Sequence, residues 1–317
     1  MSEVVTAWPA IDAVIDSIDL QAEMARGFIE YSQGLCVVPP VGELLLEEDP
    51  PGEVHIKYGY VRGGDHYVVK IASGFPRNGA LGLPTSNGMM ILFNQRTGEV
   101  GRVLLEEGRL TDIRTAAAGA LAASTLAPSR VEAVGIIGSG VQARLQLRHL
   151  DRVLPGQSVV IHGRTPEHVE ACRHDLADLS LDIDTTSDPA ELAARCNLII
   201  TTTSARTPLL KADWIRAGTC MVAIGSDTPE KQELDHEILA AADLVVCDSM
   251  EQCRIRGEVS QALRAGVISE SDVVELGSIL AGGAPSRSGD EQRIVVDLTG
   301  VAVQDLRIAE AVHHRVS

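Results

Sequence analysis

Ile136-Ile137-Gly138-Ser139-Gly140-Val141-Gln142-Ala143 is the stretch on which the reading of the fold turns. A Gly-x-Gly-x-x-Ala pattern by itself is a weak signal. Here it closes an apolar strand-like run, Val131 to Ile137, and opens a helical one, Val141 to Val153, which is the context that gives it meaning. Gly138 permits a tight turn, Gly140 lets the backbone approach a pyrophosphate, and Ala143 permits close packing of helix on sheet. The helix start offers unpaired N–H groups and a partial positive charge to phosphate. The motif therefore predicts a Rossmann domain that binds a dinucleotide.

Downstream the pattern keeps alternating. Ser158 to His162, Leu198 to Thr202, Cys220 to Ile224, Leu244 to Cys247 and Ile294 to Val296 read as strands. Pro166 to Leu179, Pro189 to Ala194 and Val303 to Val312 read as helices. Strands alternating with helices predict a parallel sheet. Gly282 to Gly289 reads as an exposed loop. Upstream, residues 1 to about 35 read as helical until Pro39-Pro40 stops the pattern. Val54 to Ile71 reads as a β-hairpin about Gly63-Gly64. Gly88 to Phe93 and Val100 to Leu105 read as strands, and the alanine-rich Thr111 to Leu126 as a tightly packed helix ended by Pro128, where the domain boundary is placed. The expected fold class is α/β: a Rossmann domain plus a second, α+β domain.

With 44 acidic and 27 basic residues the chain carries a formal charge of −17, and a surface this acidic repels the phosphate backbone of nucleic acid. No apolar run approaches the roughly 20 residues of a membrane span, and no signal peptide is recognised at the N-terminus. The six cysteines show no C-x-x-C spacing; they read as small buried hydrophobes of a cytoplasmic protein, and no metal is expected.

The end of the second Rossmann strand bears on the choice of cofactor. NAD binders usually place an acid there to accept from the ribose 2′-OH. This strand runs instead into Gly163-Arg164-Thr165. Arg can pair with a 2′-phosphate, so NADP is favoured over NAD, unless Arg164 is simply a solvated loop residue.

The hairpin register can be read directly. With Gly63-Gly64 at the turn, Tyr60 faces Tyr67 and Lys57 faces Lys70. Like charges across a strand pair are unfavourable, and two lysines held this way make sense if an anion sits between or beside them. The alternatives are that one points to solvent or that a bulge shifts the register. Arg114, where the alanine-rich helix begins, is suited to a carboxylate or to cofactor phosphates. Asp227 lies just beyond the strand Cys220 to Ile224, and ligands of open α/β sheets bind beyond the carboxyl ends of strands. A carboxylate there is a candidate general acid/base or, alternatively, a helix N-cap.

Together these motifs resemble the ornithine cyclodeaminase/μ-crystallin family. The resembling segments include Val69-Lys70, Gly82-Leu83-Pro84-Thr85, Thr111-Asp112-Ile113-Arg114-Thr115-Ala116-Ala117, Gly138 to Ala143, Gly225-Ser226-Asp227, Lys231-Gln232-Glu233-Leu234 and Asp297-Leu298-Thr299-Gly300. The resemblance implies a homodimer, with a substrate and dimerisation domain over 1–127, completed by 301–317, and a Rossmann domain over 128–300. It implies Lys70 and Arg114 beside a substrate carboxylate, Asp227 as acid/base with Lys70 as its catalytic companion, and Thr85 and Gly300 lining the nicotinamide pocket. Cofactor contacts are expected from Arg114, Thr115, Gly138, Gly140, Val141, Gln142, Arg164, Thr165, Thr202 and Asp227. The Val54 to Phe75 and Leu110 to Ala120 stretches look most like the branch of ectoine-utilisation proteins.

One departure stands out. Cyclodeaminases of the family usually carry a basic residue straight after the paired prolines, and this chain has Val41; Lys57 could supply the missing charge. The expected activity is NAD(P)H-dependent hydride transfer at the α-carbon of an α-imino or α-amino acid, of the ketimine or cyclic imine reductase type. A deaminating cyclase is the alternative, and an NADP-binding protein with little catalysis a third, against which the presence of Lys70, Arg114 and Asp227 argues.

Overall fold

Residues 4–316 are described by the computed structural model, and the chain divides into two units, Met1–Arg114 with Val301–Ser317, and Thr115–Gly300. The first opens with strand β1 (Val5–Ala7) and helices α1 (Trp8–Ile15) and α2 (Leu20–Ser32). The continuous helix expected here is therefore broken twice. Val5–Ala7 joins a sheet edge, and the side chain of Asp19 accepts from Ala22 N at 3.0 Å to cap α2. The apolar row Ile15, Ile18, Leu20 runs across the break, all of it buried, and so conceals it in the sequence.

The remaining strands of this unit are β2 (Cys36–Val37), β3 (Gly42–Leu46), β4 (Gly52–Val61), β5 (His66–Gly74), β6 (Ser86–Asn94) and β7 (Val100–Leu105). They form one sheet of order β1-β7-β6-β5-β4-β2, with β3 also on β4; β1 is parallel to β7 and the others are antiparallel. Tyr60 pairs with Tyr67 and Lys57 with Lys70, the register read from the sequence. The turn is wider than the expected two residues, because Arg62 N donates to Leu35 O at 2.9 Å and leaves the ladder. Gly64 N closes the turn on Val61 O at 3.0 Å, with Gly63 at φ 75°.

On β4, buried Lys57, Gly59 and Val61 alternate with exposed Tyr58 and Tyr60, the period of two that puts one face inward. Met90 and Leu104 continue the row of Lys57 and Lys70 across the sheet, and both are fully buried. The C-terminal helix, Ala302–Val316, packs on β4, β5, β6 and α2. Its Arg307 pairs with Glu30 of α2 at 2.8 Å and with Glu310 at 2.7 Å. Gly27 of α2 leaves room for Arg307, whose Cγ would lie 3.3 Å from a Cβ there.

Helix α3 (Arg109–Leu126) carries residues of both units; the division falls between Arg114 and Thr115, whereas the sequence placed it after the helix. From Ala116 to Ala120 every residue is buried, as befits a helix apolar all round.

The second unit is a parallel sheet. Its elements are β8 (Val134–Ile137), α4 (Val141–Val153), β9 (Ser158–His162), α5 (Pro166–Asp175), β10 (Asp182–Thr186), α6 (Pro189–Arg195), β11 (Leu198–Thr201), β12 (Cys220–Ala223), α7 (His236–Ala240), β13 (Leu244–Cys247), α8 (Met250–Cys253), α9 (Gly257–Ala265), β14 (Val273–Glu275), α10 (Leu276–Leu280) and β15 (Ile294–Asp297). The order β10-β9-β8-β11-β12-β15-β13-β14 reverses direction between β8 and β11, the switch point where such sheets bind nucleotides. β8, β11, β12 and β15 are buried along their whole length, which is why they read as unbroken apolar runs. The polar edge strand β10 and the three-residue edge strand β14 were missed in the sequence. Among the described residues no helix is long and apolar enough to cross a membrane. All six cysteines are free, and burial pushes the Cys196 and Cys220 thiols up to about 12.

Candidate active site

The glycine loop sits at the β8/β11 switch. Gly138 takes φ 122°, and its N donates to His162 O at 2.8 Å. A Cβ there would collide with Thr202 Oγ1. Thr202, just after β11, donates from its N and Oγ1 to Ile137 O at 2.8 and 3.2 Å. Gly140 is different. It precedes α4 in extended conformation without a side-chain cap, and an added Cβ would meet no protein atom within 4 Å. The space it leaves open lies at an uncapped helix start, beside an exposed Val141 and a half-buried Gln142 that accepts from Gln146 Nε2 at 3.4 Å. Ala143 is fully buried. Open space at a helix start without a side-chain cap and a turn only glycine can make are what a pyrophosphate requires, so these residues fit a dinucleotide.

The missing acid after β9 has a steric reason. A Cβ on Gly163 would lie 2.8 Å from Val169 Cγ2 and 3.1 Å from Ser139 Oγ, so a larger residue there requires these side chains to shift. Arg164 is exposed, and Thr165 occupies the N-cap position of α5 without a side-chain cap bond. Thr115 O accepts from Gln146 Nε2 at 3.2 Å, which ties α3 to α4.

Buried carboxylates hold the loops at the carboxyl ends of the other strands. Glu233 accepts from Thr201 Oγ1 at 2.7 Å, Thr203 N at 2.5 Å and Gly225 N at 2.9 Å, locking the end of β11 to the end of β12. Glu258 accepts from Ser226 Oγ at 2.5 Å and Glu233 N at 2.8 Å, and burial first, then the neighbouring Glu233, pushes it up to about 7. Asp248 accepts from Gly300 N at 2.6 Å, fixing a residue at φ 81°. Asp297 accepts from Val259 N at 2.8 Å. Of these acids, Glu258 and Asp248 escaped the sequence reading; their signal was position, Asp248 being the first residue after a strand.

Asp227 follows directly on Ser226. Its side chain is 39% exposed and its Oδ1 accepts from Lys231 Nζ at 2.6 Å. The chain turns through 228–230 and no helix begins there, so the helix-cap alternative is excluded.

In the first unit, three cations gather around one carboxylate. Asp305 on the C-terminal helix is fully buried; Lys70 Nζ lies 3.0 Å and Arg114 Nε 2.9 Å from its oxygens. Burial alone would raise the Asp305 carboxyl, but Arg114, Lys70 and Lys57 hold it below the ordinary Asp value. Burial, and next Arg114, lowers Lys70, with Asp305 and Glu106 opposing. Arg114 also donates to Gln304 Oε1 at 3.3 Å. Lys57 is buried at 6% exposure and in register, so neither the solvent nor the bulge alternative holds. Glu106 accepts from Leu110 N and Thr111 N at 2.7 and 3.1 Å, capping the start of α3 and so setting Arg114. The sequence reading found the cations but not Asp305 as their partner, since helix and hairpin lie far apart in the chain. Thr85 is exposed, and its carbonyl accepts from Phe75 N at 2.8 Å.

Switch-point glycine loop and parallel sheet define a Rossmann-type α/β protein. The family follows from comparison: the model of the ornithine cyclodeaminase/mu-crystallin family matches residues 2–317, and the chain belongs to that family. It is 40% identical over 280 residues to an uncharacterized cyclodeaminase of Sinorhizobium fredii, covering 88% of this chain and 84% of that one. It is 34% identical to the iminosuccinate reductase of Paracoccus denitrificans, covering 86% of this chain and 84% of that one. An archaeal alanine dehydrogenase dimer with bound NAD superposes with a TM-score of 0.89 at 31% identity, over 99% of this chain and 96% of that one.

Proposed function

We propose that this protein is an NAD(P)H-dependent oxidoreductase that reduces an α-imino acid to the α-amino acid. The observation that carries the reading is the convergence of Lys70 and Arg114 on Asp305, at 3.0 and 2.9 Å. An ammonium and a guanidinium together have more donors than one carboxylate has lone pairs, so N–H groups remain for a second anion, the substrate's α-carboxylate. Relatives named iminosuccinate reductase and alanine dehydrogenase support an enzyme of this kind.

When bound, the nicotinamide supplies the hydride. Hydride adds to the imine carbon, a proton adds to nitrogen, the C=N bond becomes C–N, and oxidised cofactor remains. Asp227 is the proton donor in this proposal: it is exposed enough to recover its proton from water and is oriented by Lys231 at 2.6 Å. Lys70 and Arg114 fix the carboxylate, and hence the α-carbon. Gly138, Gly140, Val141 and Gln142 receive the pyrophosphate, with Thr115 and Thr202 shaping the loop. Thr85 and Gly300 keep their place beside the nicotinamide as part of this proposal. Arg164 and Thr165 receive a ribose phosphate, favouring NADPH; the protein works as a cytoplasmic homodimer, and Leu44, Leu45 and Leu46 of β3, exposed at 56, 61 and 39%, offer apolar surface for the partner copy.

Loss of reduced-nicotinamide absorbance on adding an imino acid tests the reading. Net oxidation of the cofactor is expected; release of ammonia from a diamino acid without net oxidation would make the protein a cyclodeaminase instead. Titration with NADPH and NADH decides the cofactor: equal or tighter NADH binding, unchanged in Arg164→Ala, would sink the NADP preference.

A further inference from the structure

Residues 224–235, which carry Asp227, form neither helix nor strand apart from one bridge between Leu234 and Leu210. A loop without a ladder of its own needs partners elsewhere for its polar groups and its shape. One helix, α9, reaches this loop from end to end. Arg256, the N-cap residue of α9, donates from Nη1 to Asp227 O at 3.1 Å. Glu258 accepts from Ser226 Oγ at 2.5 Å, Glu233 N at 2.8 Å and Leu234 N at 3.1 Å. Gln261 donates from Nε2 to Pro229 O at 3.0 Å and Lys231 O at 3.4 Å, and Arg264 donates to Pro229 O at 3.2 Å. Glu258, Gln261 and Arg264 follow one another at a spacing of three, so they run along one side of α9. The helix is itself seated. Asp297, at the end of β15, accepts from Val259 N at 2.8 Å, and a Cβ on Gly257 would collide with that carboxylate. Ala223, the last residue of β12, pairs with Asp297 in the sheet. Helix α9 thus ties the loop that follows one strand to the end of the neighbouring strand.

We infer that α9 is the platform that aims Asp227, with Glu258 and Gln261 as positioning residues. The inference rests on the reading of Asp227 as the proton donor. Three handles of that side chain are held from the same helix: Ser226 before it, its own carbonyl, and Lys231, whose Nζ lies 2.6 Å from Asp227 Oδ1. The two positioning residues act differently. Glu258 and Ser226 are each 1% exposed, so their bond is made away from water, where a lost partner is not replaced by solvent. Gln261 is half-buried and acts at the far side of the loop, on the carbonyl of Lys231. Asp227 itself is 39% exposed, and such a side chain keeps its rotamer freedom unless its backbone and its ion-pair partner are both fixed. A proton donor has to meet its acceptor at hydrogen-bond distance, and a misplacement of about 1 Å can cost about 100-fold in rate. The platform therefore acts on turnover through geometry. The cofactor and the substrate carboxylate are held elsewhere in the proposal, by the glycine loop and by Lys70 with Arg114.

The test is a pair of double-mutant cycles on the whole enzyme. Turnover is read as cofactor oxidation with pyruvate or oxaloacetate and ammonium, which form imino acids in solution. Ser226→Ala, which takes the donor from Glu258, and Gln261→Ala are each made alone and combined with Asp227→Asn. Alone, each is expected to lower kcat by roughly 10- to 100-fold, with KM and the cofactor Kd within about twofold of wild type. Combined with Asp227→Asn, each is expected to cost nothing further, because a positioning residue has no effect once the group it positions is gone. Gln261 is half-buried, so Gln261→Ala decides the matter if Ser226→Ala does not fold. The second readout does not depend on turnover: in crystal structures of the variants, Asp227 Oδ1 is expected to have left Lys231 Nζ. Equal fold-losses with and without Asp227→Asn, or a contact that stays at 2.6 Å in the variants, overturns the inference. If the contact is lost while Asp227→Asn keeps the wild-type rate, or while neither oxo acid is turned over, the platform stands and the functional reading of Asp227 fails.

Discussion

Lys70 donates to Asp305 at 3.0 Å across 235 residues of sequence, and this bond closes the first unit by joining β5 to the C-terminal helix. Arg114 reaches the same carboxylate. The pair is fully buried, so the balance between desolvation and attraction governs what a substitution does.

Asp305→Asn leaves Lys57, Lys70 and Arg114, all buried, facing a neutral amide. Breaking a buried pair from one side typically costs about 3–5 kcal/mol, so a lowered melting temperature is expected. Lys70→Met combined with Asp305→Asn should cost less than the sum of the single changes; strict additivity would show that the pair is not coupled. The pH dependence has a definite sign. The Asp305 carboxyl lies below its ordinary value of 3.8, so its contribution is fully present above that value and is lost as pH falls through the folded value. Acid unfolding monitored by circular dichroism should be shallower in Asp305→Asn.

Glu258 has the opposite sign. Its folded value is about 7 against an ordinary 4.5, so the folded state keeps a proton that the unfolded state releases. Stability should therefore fall as pH rises from about 4.5 to about 7, by roughly 3 kcal/mol from this group. Glu258→Gln removes the titration and should flatten that limb of the stability curve. A slope equal to that of the wild type would mean that Glu258 ionises normally.

Gly138 and Gly140 separate folding from binding. Gly140→Ala meets no protein atom and has an ordinary φ of −87°, so the melting temperature without cofactor should stay the same or rise slightly. The cofactor-induced rise should vanish; at a hundredfold excess over Kd that rise corresponds to about 2.7 kcal/mol. Gly138→Ala forces φ 122° on a side chain that collides with Thr202, and should lower stability with or without cofactor. A full cofactor shift in Gly140→Ala would show that no phosphate occupies the space beside it.

Asp227→Asn should leave cofactor affinity and melting temperature nearly unchanged, because a half-exposed pair such as Asp227 and Lys231 contributes about 1 kcal/mol or less. Turnover should fall by about 10²- to 10⁴-fold, the usual worth of a general acid. Near-wild-type turnover in steady-state assays would remove Asp227 from the chemistry.

The sequence by itself determined the elements that rest on local chemistry. β8, α4, β9 and β11 were legible because apolar runs, a glycine loop and helix periodicity coincide there, and the hairpin register followed from Gly63-Gly64 because a turn leaves little freedom to the strands it joins. It brought Lys57 and Lys70 together for the same reason, since their pairing is fixed within a dozen residues or so. Tertiary structure alone decided the rest. The edge strand β10 is polar and β14 is only three residues long, so both gain their pairing from neighbours rather than from pattern. The break between α1 and α2 is set by a cap within an unbroken apolar row. Asp305, Glu233, Glu258 and Asp248 are buried acids whose partners their own sequence neighbourhoods do not announce. What makes them structural is burial against partners distant in the chain, where an unpaired charge is expensive and a shared one holds loops in place, and no local pattern encodes which distant partner a buried carboxylate will find.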